Sequence, residues 1–175
     1  YWHSVKKIAY LKSILEDESS AINFLNKKFE NIKKPSLKNY YDMANFYKSF
    51  EKYEDSIKFY SQVLEFLKKD HPLYPLILYR RGGSYERINQ WQESDKDLLE
   101  SLSLDPNDPY VLNYLAYSWL ERNYKLDESM SMLIKALKQK PNDPYILDSV
   151  GWAYFLNNDY ESAEKYLQKA VLLMP

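Results

Sequence analysis

Cysteine is absent from the 175 residues, so no disulfide, thiolate metal site or cysteine nucleophile is available. Histidine occurs only at His3 and His71. Neither has neighbours at the spacing of a metal site or a catalytic triad. Glycine occurs three times, too few for a turn-rich β fold. Two of the three, Gly82 and Gly83, fall inside a helical pattern running from Leu78 to Ile88. A phosphate loop needs its glycines between a strand and a helix, so this pair reads as close helix packing. No apolar run approaches the roughly 18 residues of a membrane span. Neither sign of charge dominates, with 24 Lys and Arg against 25 Asp and Glu. No basic stripe is left to neutralise phosphates, which argues against a nucleic-acid partner. Carboxylates such as Asp95, Asp97, Asp127 and Glu128 stand near expected helix starts, where they suit the helix dipole on a solvated face. No catalytic, cofactor-binding or metal-binding set is expected.

What the chain does have is a phrase said twice. Pro106-Asn107-Asp108-Pro109-Tyr110 returns as Pro141-Asn142-Asp143-Pro144-Tyr145, 35 positions later. A period in the thirties marks a helical repeat array. The first proline cannot continue a helix, the aspartate can cap the next one, and the second proline fits the first helical position. Each copy is therefore a stop, a turn and a start. Units follow at 37–74, 75–108, 109–143 and 144–175, the 35-residue spacing reflecting one extra residue near Lys125-Leu126. In the last unit Leu147, Val150, Gly151 and Tyr154 share one helix face, and Ala163, Leu167 and Ala170 share another. Between them Asn158 and Glu161 stand at capping-box spacing. Residues 1–36 predict two more helices, Ser4–Leu15 and Ser19–Lys33, with Val5, Ile8, Leu11, Leu15 and Ile22, Leu25, Phe29, Ile32 facing inward. They lack the small residues of the later units and read as a degenerate repeat or a capping pair. The chain opens at Tyr1 without methionine and closes at a repeat-ending proline, Pro175, so a fragment of a longer protein is expected.

The later units share a pattern: a small residue in the first helix, an aromatic three on, small residues at the start and near the end of the second helix, then proline. The last unit reads Gly151, Tyr154, Ala163, Ala170, Pro175, and the one before reads Ala116, Trp119, Ser129, Ala136, Pro141. Earlier come Gly82, Tyr85, Ser94, Ser101, Pro106, and then Ala44, Tyr47, Ser56, Val63. This pattern resembles the tetratricopeptide repeat. The resemblance implies an all-α, right-handed solenoid of helix-turn-helix hairpins, about ten helices here. It also implies a non-enzymatic scaffold whose first helices line a concave groove for a protein or peptide partner.

Off the core face, the first helices would place Tyr41, Asn45 and Lys48, then Tyr79, Gly83 and Arg87, in that groove. Next would come Tyr110, Asn113, Tyr117 and Leu120, then Tyr145, Asp148, Trp152 and Phe155. Rigid aromatics suit a partner surface. Equally, several of these rings could pack between units, and Trp152 and Phe155 could await a following repeat. Some tetratricopeptide co-chaperones hold a C-terminal carboxylate with Lys, Asn and Arg across three first helices. The corresponding places here read Tyr41, Asn45, Arg80, Tyr110 and Tyr114, and only Asn45 agrees, so that clamp is not expected. Residues 109–175 are further similar to bacterial tetratricopeptide proteins that include envelope lipoproteins and protease adaptors, which implies an adaptor in the bacterial envelope. Two other readings stay open: a substrate-recruiting arm of a multidomain enzyme, and self-association through an exposed C-terminal repeat.

Overall fold

The computed structural model describes residues 1–174, so Pro175 lies outside the described residues. Among them are ten helices and no strand. These are α1 (Trp2–Leu15), α2 (Glu18–Glu30), α3 (Leu37–Ser49), α4 (Tyr53–Phe66), α5 (Tyr74–Arg87), α6 (Trp91–Leu104), α7 (Pro109–Glu121), α8 (Leu126–Gln139), α9 (Pro144–Leu156) and α10 (Tyr160–Leu173). The chain forms two compact units, Tyr1–Gln90 and Trp91–Pro175.

The repeated pentapeptide acts as its chemistry requires. Asp108 accepts from the Tyr110 and Val111 amides at 2.8 and 3.1 Å, and Asp143 accepts from the Tyr145 and Ile146 amides at 3.0 and 3.2 Å. Pro109 and Pro144 open the helices where a missing N–H costs nothing. The turn carbonyls are then used by the second helix of the hairpin that follows. Lys135 of α8 donates to the Pro106 carbonyl, and Lys169 of α10 to that of Pro141.

The turns inside the last four hairpins also share one design. Glu51, Asn89, Asn123 and Asn158 take positive φ, two residues past the first helix. The next amide in each case reaches back to an aromatic carbonyl: Lys52 to Tyr47, Gln90 to Tyr85, Tyr124 to Trp119 and Asp159 to Tyr154. This is the wide backbone bond of a Schellman close, and the aromatic of the repeat pattern stands at its acceptor. The extra residue of the fourth hairpin is taken up by Lys125, a second left-handed residue in the turn between α7 and α8. Asn158 is thus the helix-ending residue, and the cap of α10 is Asp159, which accepts from the Ser162 amide. The capping box expected from Asn158 and Glu161 is displaced because a left-handed residue cannot also serve as the extended N-cap.

In the first unit, Val5, Ala9, Ala21, Leu25, Met43, Phe46 and Tyr47 form one core, and Ala44, Tyr60, Val63 and Ile77 another. Ala9 and Ala21 are fully buried, each 35 residues ahead of Ala44 and Ser56. The first pair therefore does carry small residues at the pattern's places. Ile8, Leu11 and Leu15, expected inside, are exposed, because α1 is apolar on more faces than its neighbours cover. The α2 helix stops at Glu30, short of Lys33.

In the second unit the core joins Leu112, Ala116 and Leu120 of α7 with Leu133 and Ala136 of α8 and Ile146, Val150 and Ala153 of α9. Leu120, expected in the groove, belongs to this core. Gly82, Gly83 and Gly151 are buried, as are Ala44, Ala116, Ala163 and Ala170. The solvated role expected for Asp95 and Asp97 does not hold. Asp97 is buried, and Asp95 accepts from Trp119 Nε1 at 3.0 Å and from Arg122 at 2.7 Å. A helix dipole explains their position along α6 and ignores the neighbour that α7 supplies.

Candidate functional site

In the first unit, Tyr41, Asn45 and Lys48 lie at helical spacing on one face of α3. Arg80 of α5 reaches this face. Its Nη1 donates to Asn45 Oδ1 at 3.2 Å, and its guanidinium stands 5.7 Å from the Tyr41 ring centre. The same Asn45 oxygen accepts from the Tyr60 hydroxyl at 2.8 Å, and its amide nitrogen donates to the Tyr41 carbonyl at 2.9 Å. Asn45 is thereby locked on both sides, which fixes the direction in which Arg80 points. Arg87 donates through Nε to the Tyr53 hydroxyl at 3.2 Å and stacks on that ring. Tyr79 is half-buried on α5.

The electrostatics follow from the packing. Burial, then the charges of Arg80 and Arg87, hold the Lys48 ammonium below the ordinary lysine range, with Glu86 a weaker opposing pull. Burial likewise pushes the Tyr60 phenol up to about 12, against the pull of Arg80. Toward the start of α3 the surface turns apolar. Leu37, Lys38, Tyr41, Leu73, Leu76 and Ile77 line a recess of about 270 Å³.

In the second unit, Tyr110 and Tyr117 form the outward stripe of α7, 48% and 40% exposed, while Val111, Leu112, Leu115, Ala116, Ser118, Trp119 and Leu120 are buried. Asn113 and Trp152 are half-buried. Asn113 Oδ1 and Trp152 Nε1 are buried with no hydrogen-bond partner among the described residues. Trp152 stacks on Phe155 at 5.2 Å and packs against the core of this unit. Tyr145 is widely exposed. An open apolar groove of about 750 Å³ lies along α9 and α10, lined by Phe155, Tyr160, Leu167, Val171 and Leu172.

Tyr41, Asn45, Tyr79 and Arg87 thus sit in the first unit and Tyr110, Asn113, Tyr117 and Trp152 in the second. The roles of Tyr60, Leu73 and Leu76 escape sequence reasoning. Tyr60 is on a second helix, which the groove argument ignores, and Leu73 precedes α5. Among the described residues no group of His, Asp and Glu could hold a metal ion, and no helix is long and apolar enough to cross a membrane.

A tetratricopeptide-repeat family model matches residues 37–66 and 146–175. No curated protein sequence matches. Among solved structures the chain is similar to MamA residues 41 to the end from Desulfovibrio magneticus RS-1. Identity is 16% and the TM-score 0.73, over 98% of this chain and 94% of that one. A second MamA structure is 18% identical with TM-score 0.71, over 95% and 94% of the two chains. Nearly identical TPR-like repeats from Podosopora anserina are 16% identical with TM-score 0.73, over 98% and 93%. At these identities the likeness is one of fold. The chain carries tetratricopeptide repeats and folds as a tetratricopeptide-repeat α-solenoid of helix hairpins.

Proposed function

We propose that this chain is a non-enzymatic scaffold that holds a peptide or protein partner on the outward faces of its first helices, as an adaptor does. Tetratricopeptide repeats in general serve protein–protein interaction. The observation that carries the finer reading is on α7. That helix is buried on its other faces, yet it keeps Tyr110 and Tyr117 outward, two turns apart. Large rings held by a rigid helix give contact area at small entropy cost.

Capture from a native cell extract tests this, comparing the wild type with a Tyr110→Ala/Tyr117→Ala variant of unchanged helicity and melting. Proteins retained by the first and lost by the second support the reading. Equal retention by both would move the interface elsewhere and contradict it.

The α9–α10 groove favours a second reading, self-association, because Val171 and Leu172 are 72% and 83% exposed there. Light scattering at two concentrations decides it, a concentration-independent mass counting against. An arm that recruits substrates to a catalytic domain elsewhere in a longer protein is compatible with the same interface.

A further inference from the structure

We infer that the second helices α2 and α4 form, together with α3, a recess for an arginine side chain of a protein partner, apart from the first-helix surface described above. The recess holds about 310 Å³. Its apolar wall is made of four rings, Phe29 of α2, Tyr40 and Tyr47 of α3, and Phe59 of α4. Two exposed carboxylates flank them, Glu30 at the end of α2 and Asp55 in the first turn of α4. The amide side chains of Asn26 and Gln62 and the exposed Lys58 complete the lining.

The rings are already set. Phe59 stacks on Tyr47 at 5.5 Å, and Phe29 stands edge-on to Phe59 at 5.5 Å and to Tyr40 at 5.3 Å. The Tyr47 hydroxyl donates to Asn26 Oδ1 at 2.8 Å, which pins that ring at its polar end. A wall ordered in advance spares a ligand the cost of ordering it. The two carboxylates are uncommitted. Neither has a cation at ion-pair distance among the described residues, whereas Asp42, Glu16, Glu18 and Asp95 each do. Their field enters the recess: burial first, and then the charges of Asp55 and Glu30, raise the Tyr47 phenol against the pull of the Asn26 bond. With Lys58 counted, the lining carries two negative charges and one positive, so a cation is the charge it lacks.

Aromatic rings beside a carboxylate favour a guanidinium, which is planar, weakly hydrated and able to bond a carboxylate through two N–H groups. The protein shows this pairing within itself. Arg122 stands 5.2 Å from the Trp91 ring centre and 5.7 Å from that of Tyr124, and it donates to Asp95 at 2.7 Å. The α2–α4 recess offers the same combination of rings and carboxylates, and no arginine of the chain lines it. An incoming arginine would lay its methylene stem along the rings and turn its guanidinium to Asp55 or Glu30 at the rim.

The probe is acetyl-Gly-Ser-Gly-Arg-Gly-Ser-Gly-amide, titrated into the protein carrying ¹³C-labelled Phe and Tyr and followed by NMR. Controls replace its Arg by Lys or by citrulline, the neutral isostere. Saturable shifts of the Phe29, Tyr40, Tyr47 and Phe59 ring signals are expected at millimolar peptide, with contacts from the arginine methylenes to these rings. Citrulline should weaken binding about tenfold and lysine about threefold. The Glu30→Gln/Asp55→Asn variant should also weaken it about tenfold. Both side chains are exposed and hold no ion pair, so this variant keeps its fold, and an unchanged melt checks that. No saturable shift, or equal binding by the citrulline peptide or by the Glu30→Gln/Asp55→Asn variant, would overturn the inference. Equal binding by the lysine peptide would overturn the guanidinium assignment. Shifts of the same size at the exposed Tyr110 and Tyr145 would mean unspecific contact and overturn it too.

Discussion

Leu167 of α10 lies over the bare Cα of Gly151 in α9, so closely that a β-carbon there would stand 2.7 Å from Leu167 Cγ and 3.2 Å from the Ala163 carbonyl oxygen. Glycine inside a helix ordinarily costs about 1 kcal/mol relative to alanine. The chain accepts that cost because the last hairpin closes to this distance. Gly151→Leu should therefore destabilise by about 1–3 kcal/mol through overpacking. Leu167→Ala in the same chain should return part of the loss, since it removes the atom in conflict. Chemical denaturation of the two single variants and the double variant measures this. Additive losses would mean that the two side chains do not compete for the same space.

A second expectation concerns Asp95, which joins Trp119 and Arg122 through bonds of 3.0 and 2.7 Å. All three side chains are largely shielded from water. Asp95→Ala leaves an indole N–H and a guanidinium without their acceptor, at a cost of about 2–3 kcal/mol. Trp119 fluorescence should report the change directly. A melt and an emission spectrum equal to those of the wild type would show that α6 and α7 are not held by this bond.

Glu51 gives a test of opposite sign. It takes φ 57 where three other hairpins use asparagine. Left-handed backbone costs a side chain about 1 kcal/mol, which glycine avoids. Glu51→Gly should raise stability by up to about 1 kcal/mol, read as a small rise in denaturation midpoint. A fall would mean that the Glu51 side chain makes a contact worth more than the relief.

Alkaline pH should act through Tyr60. Its folded-state value near 12 lies above the ordinary 10, so the folded state keeps a proton that the unfolded state has lost. The contribution is whole below pH 10 and disappears as pH rises through 12, about 2–3 kcal/mol in all. Tyr47 and Tyr154 are raised by burial too and act in the same direction. Lys48 is lowered and acts the other way, its penalty lifting as pH climbs toward the ordinary lysine value. Tyr60→Phe should flatten the alkaline loss, and Lys48→Met should steepen it. Denaturation midpoints between pH 9 and pH 11.5, roughly the window of these groups, give the comparison. A Tyr60→Phe profile parallel to the wild type would refute the assignment.

How much of this was legible in the sequence depends on range. The repeated Asp-Pro caps are local chemistry, so Asp108 and Asp143 could be read directly, and the small residues at Ala44, Ala116 and Gly151 gave the helix register. Two small residues without the accompanying aromatic hid the first pair, since Ala9 has Lys12 three positions on where Ala44 has Tyr47. Asp95 and Asp97 were misread because one helix cannot reveal what the next one brings to it.

The most direct measurement of the central claim is site-specific photocrosslinking. A benzophenone amino acid is placed at Tyr117, or at the exposed Ser131 on α8, and the protein is irradiated in its native extract. The account predicts a discrete adduct from position 117, abolished by Tyr110→Ala, and none from position 131. Adducts from position 131 with none from 117 would contradict it.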